Sequence, residues 1–188
     1  YKSKQAGIWV KGPITPFIAE NKIYQNNSSN VLISSLTATS TPGSTNIQDS
    51  KKMPAAASSA ADSNGSMLGN ATILLRNVIY ESSENGVCVR DLASAVIDGN
   101  QIYGNKFPNV YAQSHAHCIV KNCTIFNSAM GGIFIKDSVS GIVHNNLIYS
   151  NSNFGVLVEG TSDITIQANT ISCKNNSNEK PNDTMQET

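Results

Sequence analysis

The sequence predicts an all-β protein that winds into a right-handed parallel β-helix, a solenoid of about six coils that repeats every twenty-three residues. Similar short strings recur along the chain: NKIYQN, NVIYES, NQIYGN and NLIYSN. Apolar, mostly β-branched residues return at fixed positions of each repeat, and Gly, Asn, Ser and Asp separate them. Strand and turn signals at a fixed period are typical of repeat proteins whose units stack and bury one another.

A constant step along the sequence sets the length of one coil. The repeats start where Gly or Asn precedes Ile or Val, at Gly7, Asn30, Gly86, Asn109, Gly132 and Gly155. The sequence numbers of successive starts differ by 23, 56, 23, 23 and 23. Because 56 equals 23 plus 33, one repeat carries an insertion.

Four positions of the repeat are apolar in nearly every coil, and they are predicted to face the core. One of them, the sixteenth position after the start, is isoleucine in all six repeats: Ile23, Ile79, Ile102, Ile125, Ile148 and Ile171. Parallel strands lie about 4.8 Å apart, so stacking should place each of these on its equivalent in the next coil.

A polar column lies at the fourteenth position after each start and is predicted to form a structural ladder. A buried amide at a sharp turn can bond its own backbone and the amides of the coils on either side. Asparagine also tolerates the left-handed backbone that such turns use. The ladder consists of Asn21, Asn77, Asn100, Asn146 and Asn169, and Cys123 replaces asparagine in one repeat.

A leucine-rich repeat is the competing fold, because IDGNQI (97–102) fits its core motif. Its repeats are dominated by leucine and have a helical or extended back half. Here the back half is a second β-branched strand surrounded by Gly, Asn and Ser, which are poor helix formers. The pattern therefore favours the β-helix.

The solenoid is expected to span residues 1–175. Residues 34–70 are rich in Ser, Thr, Ala, Gly and Pro without periodic apolar positions, so we expect a low-complexity insertion loop within the second coil. Residues 176–188 are expected to be a flexible tail. No polar cap precedes the first coil, so we also expect the chain to be part of a longer β-helix.

Composition excludes several classes of partner. Lys and Arg number 13, as do Asp and Glu, so no net charge attracts nucleic acid or an anionic membrane. No apolar run approaches the roughly 18 residues that span a bilayer. The four cysteines contain no CxxC pair and are predicted to be buried thiols. No cofactor is expected.

An apolar stripe is the candidate binding site. It lies two residues after each start, between two inward positions, so it should face outward. A contiguous exposed apolar stripe marks a partner surface or a covered face. A protein or peptide partner is favoured by its aromatic members; packing of the insertion or a neighbouring domain, and stacking of sugar rings, remain open. The stripe consists of Trp9, Leu32, Cys88, Tyr111, Phe134 and Leu157.

A second aromatic row lies at the seventeenth position after the starts, and ring stacking between coils explains it. Use of the row as a binding surface stays open. Its members are Tyr24, Tyr80, Tyr103, Phe126 and Tyr149.

No catalytic site is predicted, although two groups of charged residues are candidates for one. Asp91 and Asp137 should lie two coils apart, about 9.6 Å, a separation typical of an inverting glycosidase pair. Asp98, Lys121 and His144 form a column that a surface salt ladder explains equally well.

The segment SHAHC (114–118) with nearby Cys123 supplies soft ligands. Alternate strand residues face opposite sides, so His115 and His117 would point away from Cys118. A zinc site is therefore not predicted.

The segments AGIWVKGPITPFIAENKIYQN (6–26) and GGIFIKDSVSGIVHNNLIYSNSNFGVLVEG (131–160) resemble the right-handed parallel β-helix of the F-box only proteins ten and eleven, and similar repeats in carbohydrate-binding and sugar-hydrolase proteins. The likeness covers roughly residues 5–33 and 71–173. No F-box occurs in the sequence. The replacement of asparagine by Cys123 weakens one rung without changing the resemblance.

The resemblance implies a non-catalytic, protein-binding module, the substrate-recognition region of an SCF-type ubiquitin ligase in the cytoplasm or nucleus. Its partners would be a protein substrate and the rest of the ligase. The alternative is a carbohydrate-binding or polysaccharide-modifying β-helix, of the lyase or epimerase kind, that is secreted or on a cell surface.

Overall fold

The computed structural model describes residues 5–35 and 71–173, and these ranges contain strands and turns. Each coil contributes three short strands. In chain order they are β1 (Ile8–Lys11), β2 (Phe17–Ala19), β3 (Lys22–Tyr24), β4 (Val31–Ser34), β5 (Ala71–Leu75), β6 (Val78–Tyr80), β7 (Val87–Arg90), β8 (Ser94–Asp98), β9 (Gln101–Tyr103), β10 (Val110–Ala112), β11 (His117–Lys121), β12 (Thr124–Phe126), β13 (Gly131–Ile135), β14 (Ser140–His144), β15 (Leu147–Asn151), β16 (Phe154–Val158), β17 (Asp163–Gln167) and β18 (Thr170–Cys173).

Three six-stranded parallel sheets run along the solenoid. Sheet A has the order β1-β4-β7-β10-β13-β16, sheet B β2-β5-β8-β11-β14-β17, and sheet C β3-β6-β9-β12-β15-β18. Each of the first fifteen described strands therefore pairs with the strand three elements later, one full coil away. The register is the predicted one, since Ile125 lies beside both Ile102 and Ile148. The predicted parallel β-helix of six coils is confirmed.

The insertion does not disturb this register. Ile23 of β3 pairs with Ile79 of β6, although the whole insertion lies between them along the chain. Ser34, the first residue of the predicted insertion 34–70, is instead the last residue of β4 and pairs with Arg90. The predicted insertion loop from residue 36 onward and the predicted tail lie outside the described residues.

The interior is a set of apolar columns from all three sheets. Ile102, Ile125 and Ile148 of sheet C are fully buried, as are Val87 and Val110 of sheet A. Burial of one such side chain contributes about 1.5–3 kcal/mol. Because neighbouring coils supply the burial, no coil could hold its core alone.

The asparagine ladder has one repeated hydrogen-bond pattern. The backbone N–H of Asn77 and its Nδ2 both donate to Oδ1 of Asn100, at 2.8 and 3.0 Å. Nδ2 also donates to the carbonyl of Ile18, in the coil before, at 2.8 Å. At the rung where cysteine replaces asparagine, Cys123 Sγ accepts a hydrogen bond from the Asn100 N–H at 3.4 Å.

The left-handed conformation belongs to the residue before each ladder position, whether that position is asparagine or Cys123, so its assignment to the asparagine column was wrong. Arg76, Asn122 and Asn145 have φ of 50°, 55° and 54°. The ladder asparagines Asn77 and Asn146 are not among the residues with positive φ. The chain turns at the residue before the ladder position, because the side chain at the ladder position must then point inward.

A second polar ladder lies at the corner between sheets C and A. Over four successive corners, a pair of asparagines alternates with a pair of Ser and Gly. Asn105 Nδ2 donates to Asn109 Oδ1 at 2.6 Å. In the coil before, a Cβ on Gly86 would lie 2.7 Å from Asn105 Nδ2, so only glycine fits there. Large and small pairs thus interdigitate along the stack.

Within residues 5–35 and 71–173 we find no apolar helix of the length that a bilayer crossing requires.

Candidate binding face

The predicted stripe is one continuous column on sheet A. Strand pairing puts Trp9 beside Leu32, Leu32 beside Cys88, and Cys88 beside Tyr111. Phe134 pairs with Tyr111 and with Leu157, which completes the column. Each member lies between two inward residues of its strand, so all six point away from the core.

Exposure along the stripe is uneven. Trp9 is 47% exposed, whereas Cys88 is only 5% exposed. Leu32, Tyr111 and Phe134 are half-buried. The short Cys88 side chain is recessed because larger side chains flank it in both neighbouring coils. The expectation of a uniformly exposed stripe is therefore corrected: Cys88 does not reach the surface that a partner would contact.

The aromatic members pack on one another without a flat stack. The rings of Tyr111 and Phe134 have centroids 5.4 Å apart and are tilted by 31°. Phe134 meets Phe154 edge-on at 5.9 Å. Phe154 lies over Gly131, where any Cβ would overlap its ring. These contacts pack the aromatic rings against one another on the outer face of sheet A.

A polar column runs beside the stripe, two residues further along each strand, and sequence reasoning missed it. It was detectable, because the position four residues after every start is polar. Backbone hydrogen bonds carry the column through all coils. Its members are Lys11, Ser34, Arg90, Gln113, Lys136 and Glu159.

The polar column contacts the stripe directly. Trp9 Nε1 donates to Ser34 Oγ at 3.2 Å, and Lys11 Nζ lies 5.2 Å from the centre of the Trp9 ring. The Tyr111 hydroxyl donates to Gln113 Oε1 at 2.6 Å. The face therefore combines aromatic surface with fixed donors and acceptors.

Three cations lie in the polar column. Arg90 Nε is 3.3 Å from Asp91 Oδ2, and Lys136 Nζ is 3.7 Å from Asp137 Oδ2. A hydrogen bond with Tyr111, more than the charge of Asp137, raises the pKa of Lys136. Burial raises the pKa of Tyr111 despite the opposing effect of Lys136. At neutral pH the pair is an ammonium beside a neutral phenol.

Cys88 is not a nucleophile on this face. Burial, more than nearby acidic groups, raises the pKa of its thiol to about 11. The thiolate is the reactive form of cysteine, so almost none is present at neutral pH. The predicted reduced state holds for the described thiols Cys88, Cys118 and Cys123, which are free and buried.

The second aromatic row lies on sheet C and stacks as predicted. Tyr24 and Tyr80 have centroids 4.9 Å apart with planes within 7° of parallel, and Phe126 and Tyr149 are 5.0 Å apart. Burial, more than the neighbouring Tyr24 hydroxyl, raises the pKa of Tyr80. The rings cover each other's faces, which leaves mainly their edges for a partner.

Residues 62–178 match the family described as the right-handed β-helix region. That match covers more than half of the chain, and the three parallel sheets agree with it. The chain belongs to the right-handed β-helix family.

A solved structure shares this fold. The β-helix superimposes on a crystal structure of the periplasmic alginate epimerase AlgG, a double mutant, with a TM-score of 0.65 and 14% sequence identity. The superposition covers 89% of this chain and 36% of the epimerase, so the chain spans about a third of that protein. At this identity the likeness shows the fold alone. A search of curated proteins found no match.

The acidic residues that were candidates for catalysis lie in ion pairs. Asp91 and Asp137 sit at left-handed corners, and each faces a basic residue one position earlier. Within the column of Asp98, Lys121 and His144, Asp98 and Lys121 approach to 3.4 Å, and strand pairing places His144 beside Lys121.

Within residues 5–35 and 71–173, no group of three His, Cys, Asp or Glu side chains could hold a metal ion. His117 Nδ1 lies 2.9 Å from Ser140 Oγ. Cys118 faces the core, and burial raises its pKa to about 12.

The hollow at the first coil lies away from the stripe. It has a volume of about 480 Å³ and is lined by Gly7, Ile8 and residues 21–26. The hollow lies at the first coil that the structure describes.

Proposed function

We propose that the outer face of sheet A binds an extended carbohydrate chain and that the β-helix recognises this ligand without changing it. The observation that carries the proposal is the pairing of two columns on one face. Aromatic rings at Trp9, Tyr111 and Phe134 run beside a column of polar and cationic side chains, two residues away on each strand.

Ring stacking and polar contacts are the two contributions that a sugar needs. The apolar face of a pyranose packs on an aromatic ring, and its hydroxyls bond fixed donors and acceptors. The face repeats at the coil spacing of about 4.8 Å. This spacing is close to the length of one sugar along an extended chain, so successive coils can contact successive sugars.

The charges favour an acidic sugar. Lys11, Arg90 and Lys136 lie in the polar column, and a guanidinium binds a carboxylate by two parallel hydrogen bonds. The structural neighbour is named as an alginate epimerase, which is consistent with a ligand of this class. With such a ligand, we expect the protein to act outside the cell or at its surface.

The ion pairs of two described acidic residues support recognition without catalysis. Asp91 and Asp137 are exposed, and each carboxylate faces a cation, Arg90 and Lys136 respectively. A general acid of a glycosidase instead needs surroundings that keep its proton in place. We expect the polymer to be recovered unchanged after incubation with the protein.

The test is binding of uronate oligosaccharides, measured by isothermal titration calorimetry beside neutral oligosaccharides of equal length. Trp9→Ala and Tyr111→Ala should each weaken binding of the uronate chain about tenfold. Tyr24→Ala is the matched control, because Tyr24 is as exposed as Trp9, at 47%, but lies on sheet C. Equal loss in all three variants, or no binding of any saccharide, would contradict the proposal.

A second candidate is recognition of a protein by the same stripe, as in an F-box-type ubiquitin ligase of the cytoplasm or nucleus. The exposed Trp9 and the half-buried Tyr111 and Phe134 favour it, because such residues act as interface anchors. Proximity labelling in the native cell separates the two candidates. Labelled ligase subunits that depend on Trp9 would favour the protein partner.

A further inference from the structure

Three tyrosines of the second aromatic row stack without interruption on the outer face of sheet C. Tyr24 pairs with Tyr80 across one coil, and Tyr80 pairs with Tyr103 across the next. Their ring centroids are 4.9 and 5.0 Å apart, and the ring planes are 7° and 3° from parallel. These distances nearly equal the spacing of about 4.8 Å between parallel strands, so equivalent atoms of successive rings lie above one another.

The other tyrosines of the described coils have different neighbours. Phe126 stacks on Tyr103 at 4.7 Å and on Tyr149 at 5.0 Å. Strand pairing places Ser172 on the other side of Tyr149. Tyr111 lies on sheet A, between a cysteine and a phenylalanine. Contact between two phenols is therefore confined to the first three tyrosines of the row.

These three phenols are open to solvent and protonated at neutral pH. Tyr24 is 47% exposed, and Tyr80 and Tyr103 are half-buried. Because the rings cover each other's faces, the exposed part includes the ring edges. Burial, and after it the charges of Tyr24 and Tyr103, raises the pKa of Tyr80. Oxidation of this phenol at neutral pH must therefore remove a proton together with the electron.

We propose that Tyr24, Tyr80 and Tyr103 form a site of oxidative cross-linking, where a haem peroxidase with hydrogen peroxide couples stacked neighbours into dityrosine. Each of two phenols loses one electron and one proton and becomes a tyrosyl radical. A carbon–carbon bond then joins the ring carbons beside the two hydroxyls, and the hydrogen on each of these carbons moves to the oxygen. One peroxide accepts the two electrons and two protons and leaves as two waters.

The stack favours this coupling because each radical already has its partner beside it. Holding two reactants together removes the entropic cost of their encounter. A radical on Tyr149 instead faces Phe126, which carries no phenol. A bond between Tyr24 and Tyr80 would join residues on either side of the predicted insertion, so these two coils would stay linked after a cut between them.

The cross-linking proposal does not depend on the carbohydrate proposal. The tyrosines lie on sheet C, whereas the proposed carbohydrate face is on sheet A. Saccharide binding and tyrosine coupling can therefore fail separately.

The test treats the whole chain with a haem peroxidase and hydrogen peroxide, at a dilution where protein molecules rarely meet. We expect dityrosine fluorescence and a monomer whose mass is lower by two hydrogens. Tyr80→Phe should lower the dityrosine yield of the monomer about tenfold, because Tyr24 and Tyr103 both lose their phenol partner. The variant keeps the ring and its stacking. Tyr149→Phe is the matched control and should leave the yield unchanged.

A second variant moves the cross-link along the row. Phe126→Tyr added to Tyr80→Phe should restore coupling, because position 126 then carries a phenol between Tyr103 and Tyr149. Mass spectrometry of the cleaved protein locates the bond. Equal yields in the parent chain and in Tyr80→Phe would overturn the proposal. Dityrosine found only in covalent dimers, or formed equally in urea-unfolded chain, would overturn it as well.

Discussion

Asn77 and Asn100 are joined by two hydrogen bonds across one coil spacing, from the N–H and Nδ2 of Asn77 to Oδ1 of Asn100. Both asparagines are 1% exposed. Water cannot replace these bonds, so the ladder fixes the register of adjacent coils as well as stabilising them.

Asn100→Ala should lower the free energy of unfolding by about 3 kcal/mol. The change removes the acceptor of two Asn77 donors and the donor to the Leu74 carbonyl, and each buried unsatisfied group costs about 1–3 kcal/mol. Urea unfolding followed by circular dichroism measures it. Asn27→Ala is the control, because Asn27 is exposed, and it should change stability by less than about 0.5 kcal/mol.

Cys123→Asn should stabilise the protein by about 1 kcal/mol. The new amide would occupy a rung where Sγ now accepts from the Asn100 N–H at the long distance of 3.4 Å. Thermal unfolding at fixed pH measures the change. Cys118→Asn is the opposing control, because Cys118 lies in an apolar column and an amide there would destabilise. A lower melting temperature for Cys123→Asn would contradict the ladder argument.

Gly132→Ala should destabilise by about 2 kcal/mol or more. Its Cβ would overlap the Gly155 carbonyl oxygen and lie 2.8 Å from Ile148, so the backbones of two coils must separate. Gly99→Ala is the comparison, since its Cβ has room and only its φ of 63° resists alanine, at a cost of about 1–2 kcal/mol. If urea unfolding gave the same loss of stability for both variants, the close approach of the two coils at Gly132 would not be the reason for glycine there.

Stability should fall as the pH rises from about 9 to about 12. Burial raises the pKa of Cys118 and Cys123 from 9.0 to about 12, so between these values the unfolded thiols ionise while the folded ones keep their protons. The unfolded state then binds fewer protons, and each thiol lowers the free energy of unfolding by about 1.4 kcal/mol per pH unit.

Urea unfolding at several pH values measures this slope. Cys118→Ala should reduce the slope by the contribution of one thiol. Thr124→Ala removes no titrating group, so it should leave the slope unchanged. Tyrosines and lysines also titrate in this range, so the difference between variants is the informative quantity. Identical slopes would contradict a buried, protonated Cys118.

The period, the inward isoleucines and the tyrosine row were predictable, because equal steps along the chain become vertical columns in any parallel stack. Ile102, Ile125 and Ile148 meet for that reason alone. The polar column of Lys11 and Lys136 was also readable from the repeat. It was missed because its members share polarity but no single residue type or charge.

The burial of Cys88 and the left-handed φ of Arg76 could not be read in this way. Exposure depends on the sizes of the side chains in the coils on either side, and a corner's backbone depends on where the next side chain must point. The aligned repeats of the sequence give neither the exposure of a side chain nor the backbone conformation of a corner.

By itself the sequence determined the number of coils, their register and which residues share a column, because a fixed repeat length leaves a parallel stack only one way to align. Tertiary structure alone decided which outward residues stay accessible and where the chain reverses. These depend on contacts between coils in three dimensions, where packing volume and hydrogen-bond direction act.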